Sequence, residues 1–188
     1  MKYIELESER LIFRKFKQND FPVVFDWLNN LENMKYRSSE PKNEEEAHQY
    51  LNYAIESAEE EDCINFRYAV VKKEDNTRIG SCELYYTDTD PAELAWELHR
   101  DYWKQGYGTE IGMTLLHLGF DILNLRRITA DCNTLNRGSW RIMERIGMRR
   151  EAHFVKMYRG NSALNHEWCD KYQYAILKEE WKKKNIAF

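Results

Sequence analysis

Near the middle of the chain, a strand pattern, a long apolar helix pattern and a second strand pattern follow one another closely. In Glu93–His99 a regular strand puts Glu93, Ala95 and Glu97 on one face and Leu94, Trp96 and Leu98 on the other. Tyr107–Leu123 then carries Ile111, Met113, Leu115, Leu116, Leu118, Phe120 and Ile122, and Arg127–Cys132 reads as a strand again. A helix that is apolar almost all round is expected to lie buried against a sheet. A strand, a long helix and another strand imply a parallel pair, here inside an otherwise antiparallel sheet.

The antiparallel part follows from the flanking segments. Leu11–Arg14, Ile64–Val71 and Ile79–Tyr86 read as strands, the last two separated by the turn-rich Glu74-Asp75-Asn76-Thr77, and Asp88–Pro91 is a further turn. Asn19-Asp20 offers a helix cap with Pro22 in the first turn, and Phe21, Val24, Phe25, Leu28 and Leu31 form one apolar face. Asn43–Glu61 is a second, very acidic helix with a sparse stripe of Ala47, Tyr50, Leu51 and Ala54. A short helix over Arg137–Ile146 ends at Gly147, which suits a C-terminal cap. Met148–Tyr158 and His166–Leu177 are two closing strands around Gly160-Asn161-Ser162. The predicted order is β-α-α-β-β-β-α-β-α-β-β.

Composition narrows the function classes. A chain of 188 residues with six Trp, twelve Tyr and eight Phe has ample surface for one folded core. No run approaches the length of a membrane span and Met1–Arg10 has no apolar signal core, so a soluble cytoplasmic protein is the expectation. The net charge of -4 argues against a general nucleic-acid partner. It hides an asymmetry: residues 1–125 hold 14 Lys/Arg against 25 Asp/Glu, or -11, and residues 126–188 hold 14 against 7, or +7. Cys63, Cys82, Cys132 and Cys169 contain no C-x-x-C pair, and the five histidines show no ligand spacing. Buried free thiols and no metal are expected.

Two glycine- and cap-bearing turns carry the chemistry. Gln105-Gly106-Tyr107-Gly108-Thr109-Glu110 follows a strand and opens the buried helix, where backbone N–H groups and the helix dipole suit a pyrophosphate. A dinucleotide fingerprint would need a third glycine at position 111, which is Ile111. The second turn, Asn136-Arg137-Gly138-Ser139, starts the next helix, with Asn136 as its cap.

Together, strand-Q-G-Y-G-T-E-helix and strand-N-x-x-S-helix ending in Ile-Gly-Met resemble the GNAT superfamily of acyl-CoA-dependent N-acetyltransferases. Gln105 and Gly108 match the first and fourth places of its pyrophosphate motif; Glu110 departs from the sixth. Glu9-Arg10-Leu11-Ile12-Phe13-Arg14, Trp96-Glu97-Leu98-His99-Arg100-Asp101-Tyr102-Trp103 and Glu144-Arg145-Ile146-Gly147-Met148-Arg149-Arg150-Glu151 are similar to the branch of ribosomal-protein-alanine N-acetyltransferases. The resemblance covers about residues 8–181 of a single domain spanning 1–188. It implies a mixed α+β fold: a mostly antiparallel twisted sheet, flanked by helices, in which one parallel strand pair splays apart.

The resemblance also implies a cofactor site and a reaction. Acetyl-CoA would wedge between the splayed strands, with the backbone around Leu98 on the pantetheine arm and acetyl carbonyl. Amides of Gln105, Gly106, Tyr107, Gly108, Thr109 and Glu110 would hold the pyrophosphate, Asn136 would reach the pantetheine from the other wall, and Arg137, Arg141 and Arg145 are available to phosphates. Transfer to an amine needs a base for the amine proton and a donor for the leaving thiolate. Glu97 is the first candidate base, Asp131 the second and Glu93 the third. Many family members place a Tyr donor at the position that is Met143 here, leaving Ser139, Tyr158 or a water as donor. The acidic first two-thirds suggest a cationic acceptor such as a protein N-terminus, polyamine, amino sugar or aminoglycoside. The aromatic-rich C-terminal strands suggest a homodimer. The alternative is a catalytically silent acyl-CoA-binding or interaction module on the same fold.

Overall fold

The computed structural model describes residues 2–60, 63–86 and 91–185. Eight strands form one sheet in the order β1-β2-β3-β4-β5-β6-β8-β7. They are β1 (Leu6–Glu7), β2 (Leu11–Arg14), β3 (Asn65–Lys72), β4 (Arg78–Tyr85), β5 (Ala92–Leu98), β6 (Arg127–Asn133), β7 (Arg149–Arg159) and β8 (Trp168–Leu177). Among the described residues every strand pair is antiparallel except β5 with β6. The helices are α1 (Phe21–Asn29), α2 (Leu31–Met34), α3 (Glu44–Glu56), α4 (Tyr107–His117), α5 (Arg137–Ile146) and α6 (Lys178–Asn185).

The sheet separates two apolar layers. On one face, α4 and α5 cover Phe66, Tyr68, Leu84, Leu94, Ile128 and Ala130. On the other, α1 and α3 enclose Phe16, Val24, Trp27, Leu28, Leu51 and Ala54. The α4–α5 contact is close because two glycines permit it. A Cβ on Gly108 would meet Ile142 Cδ1 at 2.4 Å, and one on Gly112 would meet Ile146 Cδ1 at 2.9 Å.

Several local expectations need correction. The face through Phe21 and Leu31 is not one helix: Asn30 turns extended (φ -87°, ψ 114°), and its side chain caps α2 by accepting from Glu32 and Asn33 N–H. Leu31 is consequently exposed, while Trp27 is buried. Asp20 precedes α1 but makes no capping bond; its carboxylate takes the Arg14 guanidinium at 2.8 Å and the Lys17 N–H. The third helix runs Glu44–Glu56 with Asn43 as its cap, short of the expected Glu61. The apolar helix ends at His117 and continues as a π-helical turn over Leu118–Ile122. Met113 and Ile122 face solvent, so its apolar surface is not buried all round. Strand β1 and helix α6 have no counterpart in the predicted order, and the turn at Asp88–Pro91 falls largely outside the described residues. All four cysteines are buried free thiols.

Candidate active site

Strands β5 and β6 hold together for two residue pairs only, Ala92 with Ile128 and Glu93 with Thr129. Beyond them β5 stays on β4 as far as Leu98, and β6 stays on β8 as far as Asn133. The sheet therefore opens a wedge between two strands that are each anchored on their outer side. The His99 N–H donates to Ile79 O, so by strand alternation the peptide groups of Trp96 and Leu98 point to the open edge. The Leu98 carbonyl already accepts from the Trp103 indole at 2.8 Å. The N–H of Leu98 and the peptide groups of Trp96 remain at the edge.

At the end of this wedge stands the first turn of α4. Gly106 is its N-cap with φ +85°, a left-handed conformation that favours glycine. The N–H groups of Thr109 and Glu110 turn back onto Gly106 O at 3.1 Å. Those of Tyr107 and Gly108 have no intrahelical acceptor, which makes this helix start an anion site. The missing side chain of Gly108 makes room for Ile142 on α5, while its N–H stays at the open helix start.

Side chains from the far end of the chain fix this turn. Glu110 accepts from Ser8 Oγ at 2.7 Å, from Arg10 N at 2.8 Å and from Arg10 Nε at 2.7 Å. Arg10 also donates to Gln105 O at 3.1 Å and lies over the Tyr107 ring at 4.3 Å. Partial burial pushes the Glu110 carboxyl up, but the bonds from Ser8 and Arg10 outweigh it and hold it below its ordinary value. The Glu110 side chain is thus occupied in bracing the loop. Sequence reasoning quoted Arg10 only as part of a run; its role shows only when β2 and α4 are brought together. The Gln105 amide donates to Asp101 O, within the same loop.

On the α1–α3 side of β4 and β5 lies a cavity of about 90 Å³, lined by Arg37, Tyr50, Arg67, Ser81, Glu83 and Glu97, among others. Glu97 faces it from β5, paired with Arg37 and 3.4 Å from Ser81 Oγ. Arg67 pairs with Glu83 at 2.6–2.7 Å. Glu93 and Ala95 share the face of Glu97, as the strand pattern predicts, because their partners Tyr85 and Glu83 alternate with Ser81 across the ladder. Burial and the nearby Asp131 charge push the Glu93 carboxyl up, while Asp131 is itself paired with Lys171 at 2.8 Å. Neither Arg37 nor Arg67 was singled out by the sequence. They come from a loop and a strand 30 residues apart, with no motif linking them.

The second wall, α5, is capped by Asn136, whose Oδ1 accepts from Ser139 N–H at 3.1 Å. Ser139 Oγ lies beside the buried Cys132 thiol, which desolvation pushes up to about 11 despite the bond from Ser139. Met143 is buried in the α4–α5 layer. Tyr158 is engaged elsewhere: its hydroxyl accepts from Asn133 at 2.7 Å and donates to Tyr36 O at 3.1 Å, and burial pushes it up to about 12. Among the described residues no cluster of His, Cys, Asp and Glu suits a metal ion, and no helix is long and apolar enough to cross a membrane.

Comparison with known proteins agrees with this architecture. A family model described as an acetyltransferase (GNAT) domain matches residues 10–149. The uncharacterized N-acetyltransferase YnaD of Bacillus subtilis (strain 168) is 33% identical over 180 residues, 95% of this chain and 99% of that protein. Among solved structures, a GNAT-family acetyltransferase from Bacillus anthracis superposes with a TM-score of 0.81 at 31% identity, covering 94% of this chain and all of that one. A spermidine N-acetyltransferase from Vibrio cholerae, solved with CoA and spermine, shares the fold at a TM-score of 0.79 and 22% identity, covering 93% and 99% of the two chains. The wedge between β5 and β6, the open helix start at Gly106 and these matches place the chain in the GNAT family of acetyl-CoA-dependent N-acetyltransferases.

Proposed function

We propose that this enzyme transfers the acetyl group of acetyl-CoA directly to a primary amine, with Glu97 as the group that receives the amine's proton. The observation carrying this reading is the placement of Glu97: it faces the cavity from the strand whose opposite edge opens into the wedge. Acetyl-CoA supplies the activated acetyl group. The unpaired N–H groups of Tyr107 and Gly108 hold its pyrophosphate, and the open edge at Trp96 and Leu98 takes the pantetheine arm and polarises the carbonyl. The neutral amine nitrogen attacks the thioester carbon; the C–N bond forms, the C–S bond breaks, and the nitrogen's proton leaves toward Glu97 through water. The thiolate takes a proton from Ser139 or solvent, since Met143 has none to give and Tyr158 is tied to Asn133 and Tyr36. Asp131, paired with Lys171, is the lesser candidate for base.

Replacing Glu97 by Gln tests the assignment. Loss of a general base typically costs 100-fold or more, so kcat for a panel of amines is expected to fall by about that factor with acetyl-CoA affinity unchanged. A wild-type rate and pH profile would remove Glu97 from the mechanism. The buried Met143 favours a second reading, a silent acyl-CoA-binding module. It is distinguished by wild-type protein that binds acetyl-CoA in calorimetry and releases no CoA thiol with any amine.

A further inference from the structure

The acidic run at the start of α3, part of the charge that suggests a cationic acceptor, does not line the cavity. Glu44, Glu45 and Glu46 at the start of α3 are exposed. What the cavity contains is two arginines and two carboxylates, already paired as Arg37 with Glu97 and Arg67 with Glu83. A polycation entering it would have to displace cations that the protein itself supplies.

A third arginine stands behind the cavity. Arg78, at the start of β4, is 8% exposed, and its Nε and Nη2 have no hydrogen-bond partner among the described residues. It lies over the Phe16 ring at 5.0 Å, and Phe16 meets Tyr50 edge-on at 6.3 Å, the same Tyr50 that lines the cavity. The carboxylate nearest in charge to Arg78 is Asp20, which is taken up by Arg14 and the Lys17 N–H. Burial pushes the Arg78 guanidinium down to about 10. Arg14, Arg37, Arg67 and Arg78 thus lie between the sheet and the helices, and among the described residues Arg78 pairs with no carboxylate. Arg37 and Arg67 both line the cavity, and burial pushes the Arg37 guanidinium down. A small anion between them uses the guanidinium N–H groups that Glu83 and Glu97 leave free.

Resting on the transfer reading above, we infer that the acceptor is a small molecule carrying both a primary amine and a carboxylate, its carboxylate between Arg37 and Arg67 and its amine beside Glu97. A cavity of about 90 Å³ has room for a carboxylate head between the two arginines. The narrow pocket therefore reads the acid, and the open wedge presents the amine to the thioester.

The test compares three acceptors under saturating acetyl-CoA: alanylalanine, its C-terminal amide, and spermidine. The expected result is a kcat/KM for the dipeptide at least about tenfold above that for the amide and for spermidine, the size expected for one charge-assisted hydrogen bond. In Arg67→Gln that preference should fall toward one, and in Arg67→Lys it should be partly restored. Because the variants also remove the partner of Glu83, acetate and propionate are tested as inhibitors of the wild type, competitive against the amine. A preference for spermidine or the amide, or no competition by carboxylates, would overturn the inference and leave amine acetylation standing. If none of the three is acetylated while a broader amine panel releases CoA thiol, the inference falls and amine acetylation stands; if no amine releases it while acetyl-CoA binds, both fall.

Discussion

Around the first turn of α4, the groups offered to a ligand are peptide N–H groups, whereas the cavity across the sheet is lined by charged side-chain ends from five segments. At α4, Gly106 with its φ of +85° and the helix start do the work, and the supporting contacts come from β1–β2 through Ser8 and Arg10. In the cavity, Arg37 follows α2, Tyr50 is on α3, Arg67 on β3, Glu83 on β4 and Glu97 on β5. Backbone sites are written in contiguous sequence because conformation is local. Side-chain sites are assembled by topology, and their net charge is unrelated to that of the segments that supply them.

The largest expected effect tests whether Gly108 belongs to the ligand side or the packing side of its loop. A tryptophan there must displace Ile142 from the α4–α5 contact. Overpacking of this kind costs about 3 kcal/mol or more, so Gly108→Trp should lower Tm by roughly 6–12 °C. Truncating Ile142 to Ala in the same chain should recover part of that loss. A variant with wild-type Tm that has lost only acetyl-CoA binding would show that the missing side chain makes room for the cofactor rather than for Ile142.

The same contrast explains what the sequence reveals. The parallel pair β5–β6 was legible because an apolar helix between two strand patterns has few ways to fold, and the shared face of Glu93, Ala95 and Glu97 was legible from strand alternation. The break between α1 and α2 was not: Leu31 continues the apolar period, and only the extended Asn30 interrupts it. Solvent exposure of Met113 and Ile122 was equally hidden, since periodicity records apolar residues without saying how much cover the sheet provides. Gly108 fits the expected motif for a reason the motif does not state. At Glu110 the departure from the motif is a structural exchange, in which a carboxylate at the sixth place is matched by Arg10 from β1–β2.

Arg10 sharpens the comparison at intermediate size. It touches Glu110, Gln105 O and the Tyr107 ring but is itself 42% exposed, so its loss should loosen the loop more than the fold. Arg10→Ala is expected to raise KM for acetyl-CoA about tenfold, with the amine KM unchanged and Tm lowered by no more than about 3 °C, in line with an exposed ion pair. Lysine at this position keeps the charge but not the forked contacts and should recover only part of the affinity. Equal increases in both KM values would mean that Arg10 supports the whole site rather than the cofactor end.

The smallest effect is a difference in sign between two carboxylates. Glu110 is held below its ordinary value, so it stabilises the fold above the ordinary glutamate range, near 4.3, and that contribution fades as pH falls through its lower folded value. Glu93 is pushed up by burial and Asp131, so its charged form disfavours the fold at neutral pH; that penalty is relieved as pH falls through its raised folded value toward the ordinary range. At pH 7, Glu110→Gln should melt below the wild type and Glu93→Gln above it, each by about 1–3 °C, since both sites are partly solvated. Lowering the pH toward 4 should shrink both differences, the Glu93 difference beginning at the higher pH. Two differences of the same sign at pH 7 would show that the surroundings of Glu110 and Glu93 do not oppose one another. Opposite signs that converge in acid identify the first turn of α4 as a place built to keep a carboxylate charged, and the polar face of β5 as one that resists it.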